Sequence, residues 1–123
     1  MRVLLADDQA SVRSALRLIL DRQPEIEVLG EAVNATGVLD WLKALQPDLV
    51  LLDWELPGME GGALLQAVRE RCPTLRVIAL SGRPEARSAA LEAGADAFVS
   101  KGDPPERLLE AIEGLFASSE IQR

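Results

Sequence analysis

Histidine is missing from all 123 residues. Its absence removes the commonest general base and every metal site built on imidazole, leaving metals that take oxygen ligands, such as Mg²⁺. Cysteine is nearly missing too. Cys72 stands alone, so no internal disulfide can form and a reducing cytosol is the expected compartment. Positive charge is scarce: 13 Lys and Arg face 20 Asp and Glu, for a net charge of −7. That balance argues against nucleic-acid binding through phosphate contacts alone and favours a metal cation or a basic patch on another protein. Long apolar runs are absent as well. The first, Val3–Ala6, has neither the length nor the flanks of a signal peptide or a spanning segment, so no membrane partner is expected.

What is present is the balance of an ordinary soluble globular protein, 48% apolar and 27% charged. The length suits one domain with a real core. No internal repeat, low-complexity tract or linker interrupts it before the end "ASSEIQR". The expectation is one domain over residues 1–117, with residues 118–123 as a tail or the start of a linker.

Short apolar runs alternate with amphipathic stretches. The runs are Val3–Ala6, Ile26–Val33, Leu49–Leu52, Val77–Leu80 and Ala97–Val99. The first, third and fourth show too little polar alternation for a strand with one wet face and read as parallel strands covered on both sides. Between the runs the spacing turns helical: Val12, Leu16, Ile19 and Leu20; Val38, Trp41, Leu42 and Leu45; a weaker Leu65, Val68 and Cys72; and a clear Leu108, Leu109, Ile112 and Phe116. Asn34 and Asp103 are candidate N-caps, with Pro104 at the first position of the last helix and Gly94 as a left-handed cap closing the fourth. That fourth helix, from about Pro84 to Ala93, would bury mainly Ala86, Ala89, Ala90 and Ala93. A small-residue face adds little burial energy, so this helix should be the least firmly docked. Five strands alternating with five helices predict a doubly wound α/β sandwich around a five-stranded parallel sheet, the (βα)5 flavodoxin-like arrangement.

The stretches "VLLADD" and "LLDWELPG" each end an apolar strand in acid. Ligands of an open parallel sheet bind at the carboxyl ends of its strands. If the first and third strands are neighbours, Asp7, Asp8 and Asp53 converge there. At about 5 Å and an effective dielectric of about 20, each pair would repel by roughly 3 kcal/mol. A cation relieves this, and Mg²⁺ binds through a few carboxylates together with phosphate oxygens. The fourth strand ends in Ser81 and the fifth in Lys101, a hydroxyl and an ammonium suited to the oxygens of a transferred phosphoryl group. Asp53 is best placed to accept it as an aspartyl phosphate. The following turn, Trp54 to Gly58, offers backbone groups to phosphate and metal. Taken singly, Asp8 reads as a helix cap, Ser81 as a turn residue and Lys101 as a solvated charge. Compatible chemistry at four of the five strand ends outweighs those readings.

Over essentially its whole length the chain resembles the receiver domain of bacterial two-component response regulators, through "LLADD", "LVLLDWELPGMEGG", "VIALSG" and "GADAFVSK". The resemblance implies that Asp53 is the phosphoacceptor. It implies that Asp7, Asp8, Asp53 and the backbone carbonyl of Glu55 hold Mg²⁺, and that Ser81 and Lys101 engage the phosphoryl group with the backbones of Trp54 and Gly82. Phe98 matches an aromatic position that changes rotamer on activation, and it reads equally as a core phenylalanine. Glu55 and Arg83 flank the site as tuners of phosphoryl lifetime. A sensor histidine kinase is the implied donor, and the faces of helices 1, 4 and 5 are candidate homodimer surfaces. The wording of "RVLLADDQASVRSALRLIL" is similar to the subfamily carrying a C-terminal helix-turn-helix domain, so the chain is expected to be an excised receiver. Two positions depart from the pattern. Gly102 stands where many receivers have proline, so no cis bond is expected there, and Glu60 replaces the usual Asp or Asn, which is expected to matter little. Three rival readings differ in class. An aspartyl-nucleophile phosphohydrolase would use Glu55, two residues after Asp53, as acid–base. A flavin or nucleotide binder would need a Gly-rich loop where the chain has "DDQASVR". The last is a phosphorylation-independent dimerisation module.

Overall fold

Apolar residues fill consecutive positions of the central strands because both faces of the sheet are covered. In the computed structural model, which describes the backbone of residues 1–121 and the side chains of residues 1–117, the elements run in strict alternation. They are β1 (Arg2–Ala6), α1 (Ala10–Asp21), β2 (Glu27–Ala32), α2 (Ala35–Ala44), β3 (Leu49–Asp53), α3 (Gly61–Arg71), β4 (Arg76–Ser81), a 3₁₀ turn (Pro84–Ala86), α4 (Arg87–Glu92), β5 (Ala97–Ser100) and α5 (Pro105–Ile121). All strand pairs are parallel, in the order β2-β1-β3-β4-β5. This is the flavodoxin-like order, with its reversal between β1 and β3.

Side-chain alternation splits the core in two. Leu4, Val50, Leu52, Val77, Ala79 and Phe98 pack beneath α2, α3 and α4. Val3, Leu5, Leu49, Leu51, Ile78, Leu80 and Val99 meet Leu16, Leu20, Leu108 and Ile112 of α1 and α5. Fully burying each such Leu or Val is worth about 1.5–3 kcal/mol. β2, at the sheet edge, is only partly covered. There Gly30 lets the Trp41 ring lie against the strand, since a Cβ at that position would run into the indole.

Several local expectations change. Asn34 does cap α2, its side chain accepting from Gly37 N–H at 2.8 Å. Gly94, at φ +109°, closes α4 as expected. Asp103 does not cap α5. The helix starts at Pro105, and Asp103 Oδ2 accepts from Ser100 N–H at 3.2 Å. The 3₁₀ turn buries Ala86 and α4 buries Ala90, one turn apart, whereas Ala89 and Ala93 are exposed, because so short a helix turns only one stripe inward. Leu64 joins Leu65 and Val68 in the core face of α3. Glu60, expected to matter little, is the N-cap of α3, accepting from Gly62 and Ala63 N–H. No cis peptide occurs among the described residues. α5 continues to Ile121, past the boundary placed at residue 117, and residues 122–123 lie outside the described residues. Among the described residues no helix is long and apolar enough to cross a membrane.

Candidate functional site

β1 and β3 are neighbours, so the chain delivers Asp7 and Asp53 to the same edge at the point where strand order reverses. Both acids are buried, at 0% and 2% exposure, while Asp8 is exposed beside them. Each offers a carboxylate oxygen within 4.8 Å of the others. The next strand ends complete the ring. Lys101, just past β5, places Nζ 2.7 Å from Asp7 Oδ2 and 3.4 Å from Asp53 Oδ1. Ser81, fully buried at the end of β4, faces the turn after Asp53.

Each buried acid is held from behind. Asp7 N–H donates to Ala32 O at 3.0 Å, and Asp7 Oδ1 accepts from Gln9 N–H at 2.9 Å. Asp53 Oδ1 accepts from Glu55 N–H at 3.0 Å. Burial pushes the Asp53 carboxyl above its ordinary value. The Glu55 hydrogen bond opposes that rise, the Asp7 charge adds to it, and Lys101 relieves it in part. Burial works against the Lys101 ammonium, but its contact with Asp7 and the charge of Asp53 outweigh that and hold its pKa above the ordinary lysine value.

The donor set fits a hard cation. All available ligands are oxygens, the Asp8 side chain makes no hydrogen bond among the described residues, and the Glu55 carbonyl likewise accepts none. Asp7 Oδ2 is enclosed, and the Lys101 ammonium lies against it at 2.7 Å. An acidic, all-oxygen cluster of this kind could bind Mg²⁺. Asp8 as a mere helix cap is ruled out, since Gln9 is the N-cap of α1 and no side chain caps it.

Three expected participants stand differently. Ser81 Oγ points to the Glu55 carboxylate, at 2.8 Å and 3.0 Å from its two oxygens, and accepts from Arg83 N–H. Arg83 Nη2 closes the group at 3.1 Å from Glu55 Oε2. Glu55 and Arg83 thus form a latch on the hydroxyl. Trp54 N–H is engaged by Leu80 O at 2.7 Å, so in this state it is not free for phosphate. Gly82 lies in open space beside Ser81. Phe98 is 7% exposed, packed in the layer that holds Ala86, Ala90 and Ala95. Arg13, which donates to the Asp7 carbonyl, is a neighbour that the sequence reading missed; nothing in the local pattern marks it beyond its place one turn into α1.

A family model described as the response regulator receiver domain matches residues 3–113. The chain belongs to that family. This receiver domain is 36% identical to the nitrate/nitrite response regulator protein NarL of Escherichia coli over 121 residues, 97% of the chain and 56% of NarL. It is 43% identical to a protein-glutamate methylesterase/protein-glutamine glutaminase of Geobacter sulfurreducens, over 82% of the chain but 28% of that protein. Among solved structures, the RcsB response regulator of Salmonella typhimurium superposes with a TM-score of 0.88 at 27% identity, covering 96% of the chain and 60% of RcsB. The chain spans about half the length of NarL and less of the methylesterase. Phosphorylation and Mg²⁺ dependence are typical of the family.

Proposed function

We propose that this receiver is the phospho-accepting switch of a two-component system, taking a phosphoryl group from a sensor histidine kinase onto Asp53. The observation that carries the reading is the pair of buried, mutually repelling acids, Asp7 and Asp53, sharing one ammonium beside an exposed third acid. A fold retains such an arrangement where function requires it.

Asp7, Asp8, Asp53 and the Glu55 carbonyl would hold Mg²⁺, which supplies charge neutralisation to the phosphoryl oxygens when bound. The Glu55 N–H fixes the rotation of the Asp53 carboxylate for in-line attack. The N–P bond of the donor phosphohistidine breaks as the Asp53 O–P bond forms, and the freed imidazole takes up a proton. Lys101, already between the two acids, balances the charge the phosphoryl group adds. Ser81 must leave Glu55 to donate its hydroxyl to a phosphoryl oxygen. That exchange opens the Glu55–Arg83 latch and frees the segment that leads to α4, whose only buried helical residue is Ala90. Two pre-existing states of this segment and of the α4–β5–α5 face are then rebalanced by phosphorylation. The output is a changed binding surface. We assign control of transcription to a DNA-binding domain of a longer protein, on the likeness to helix-turn-helix regulators, with the faces of α1, α4 and α5 as candidate homodimer contacts and the cytoplasm as the compartment.

The test is intact mass after incubation with acetyl phosphate, with and without Mg²⁺, for the wild type and Asp53→Asn. One Mg²⁺-dependent phosphoryl adduct, absent from the variant, is expected. No adduct under any condition would favour a phosphorylation-independent module. The phosphohydrolase reading asks Glu55 to act as a free acid–base, yet its carboxylate is committed to Ser81 and Arg83. Steady turnover of a phosphate monoester would revive it.

A further inference from the structure

The acid pair sits on a segment with little local support. Asp7 and Asp8 bridge β1 and α1, where no side chain caps the helix and its first turn carries no acid. Beyond the Gln9 N–H bond to Asp7 Oδ1, what fixes the segment comes from elsewhere. Arg13 Nη1 donates to the Asp7 carbonyl at 2.8 Å, from a side chain 17% exposed. Its Nε donates to Glu31 Oε1 at 2.6 Å, and the other Glu31 oxygen is taken by Arg17. Glu31 is itself anchored in β2, its carbonyl accepting from Trp41 Nε1 at 3.0 Å. Arg17 and Arg13 hold the Glu31 carboxyl below its usual range, so the brace stays ionised. The adjacent residue, Ala32, accepts from Asp7 N–H. Both backbone groups of Asp7 are therefore tied, one to β2 directly and one through Arg13.

We propose that Arg13 is a positioning residue for the metal-binding acids: by gripping the Asp7 carbonyl while braced on Glu31, it sets the affinity of Asp7 and Asp8 for Mg²⁺. The inference rests on the reading of the site as a Mg²⁺-dependent phosphoacceptor. The geometry asks for arginine in particular. A planar fork can bond a carbonyl with one edge and a carboxylate with the other, whereas lysine offers a point charge that cannot hold both in fixed directions. Groups one step behind metal ligands typically change affinity by 10–100-fold when removed.

The experiment is a Mg²⁺ titration of the whole domain followed by amide chemical shifts, for the wild type, Arg13→Gln, Arg13→Lys and Glu31→Gln. We expect Arg13→Gln to weaken Mg²⁺ binding about tenfold, with Arg13→Lys restoring only part of the loss. Glu31→Gln, which leaves the guanidinium in place but unbraced, should weaken binding severalfold, and it carries the test should Arg13→Gln fail to fold. Phosphorylation by acetyl phosphate should need correspondingly more Mg²⁺ yet reach the wild-type plateau rate. Wild-type affinity in folded variants that are merely less stable would overturn the positioning role alone. A wild type that binds no Mg²⁺ would overturn the proposed function and this inference with it.

Discussion

Replacing Asp53 with asparagine should stabilise the metal-free domain. Asp53 is 2% exposed and its neighbour Asp7 is fully buried. At about 5 Å and an effective dielectric of about 20 the two charges repel by roughly 3 kcal/mol, while Lys101 at its closer distance attracts Asp53 by roughly 5 kcal/mol. The Coulomb balance alone would favour the ionised acid. The carboxyl nonetheless lies above its ordinary value because loss of hydration is the largest influence on it. Asparagine removes the desolvated charge and keeps an oxygen for the Glu55 N–H. We expect a gain of about 1 kcal/mol at neutral pH, read as a rise of about 4 °C in Tm by calorimetry in EDTA. The sign with pH follows from linkage. A carboxyl whose folded pKa is raised destabilises the fold once it ionises, in full above the folded pKa and not at all below the unfolded one. The gap between variant and wild type should therefore close as pH falls toward the ordinary aspartate value of 3.8. Mg²⁺ should narrow or invert the gap, since ten times Kd adds about 1.4 kcal/mol to the protein that binds it. A variant no more stable than wild type in EDTA at pH 7, or a gap unchanged in acid, would refute the reasoning.

Other perturbations probe different parts of the structure. Lys101→Met strips the shared ammonium from two buried acids and should cost about 3 kcal/mol in urea unfolding without metal, with part of the loss recovered on adding Mg²⁺; equal loss with and without Mg²⁺ would contradict the shared-charge account. Glu55→Ala unlatches Ser81 and removes a half-exposed ion pair, so stability should move by less than about 1 kcal/mol. Phosphorylation by acetyl phosphate should quicken severalfold, and an unchanged rate would mean that the latch restrains nothing. Asp96 Oδ2 accepts from both Arg69 Nη2 and Val77 N–H, tying α3 to β4 and β5 far from the acids. Asp96→Ala should cost about 2 kcal/mol by chemical denaturation while leaving Mg²⁺ affinity untouched.

The element order, the two-sided burial of the central strands and the residues at the strand ends were legible in the chain because each depends on local periodicity. Strand parity puts Leu4 and Leu5 on opposite faces of the sheet, and a strand's last residues must emerge at the sheet edge. Resemblance to receiver domains then named roles for those residues. Errors arose where a side chain chose between partners close in sequence: Asp103 bonded back to Ser100, and Glu60 became a cap although its type is not a favoured one.

Contacts between distant elements were beyond any local pattern. Ser81 and Glu55 are 26 residues apart, and Arg13 and Glu31 are 18 apart. Each pair meets only because β1 lies between β2 and β3, and β4 beside β3. The sequence by itself determined that three acids, a hydroxyl and a lysine would share one edge. Only the tertiary structure decided that the hydroxyl is held by Glu55, that Phe98 is already buried, and that Arg13 holds the acid segment from behind. Those outcomes depend on side-chain directions and distances across strands, which no spacing along the chain encodes.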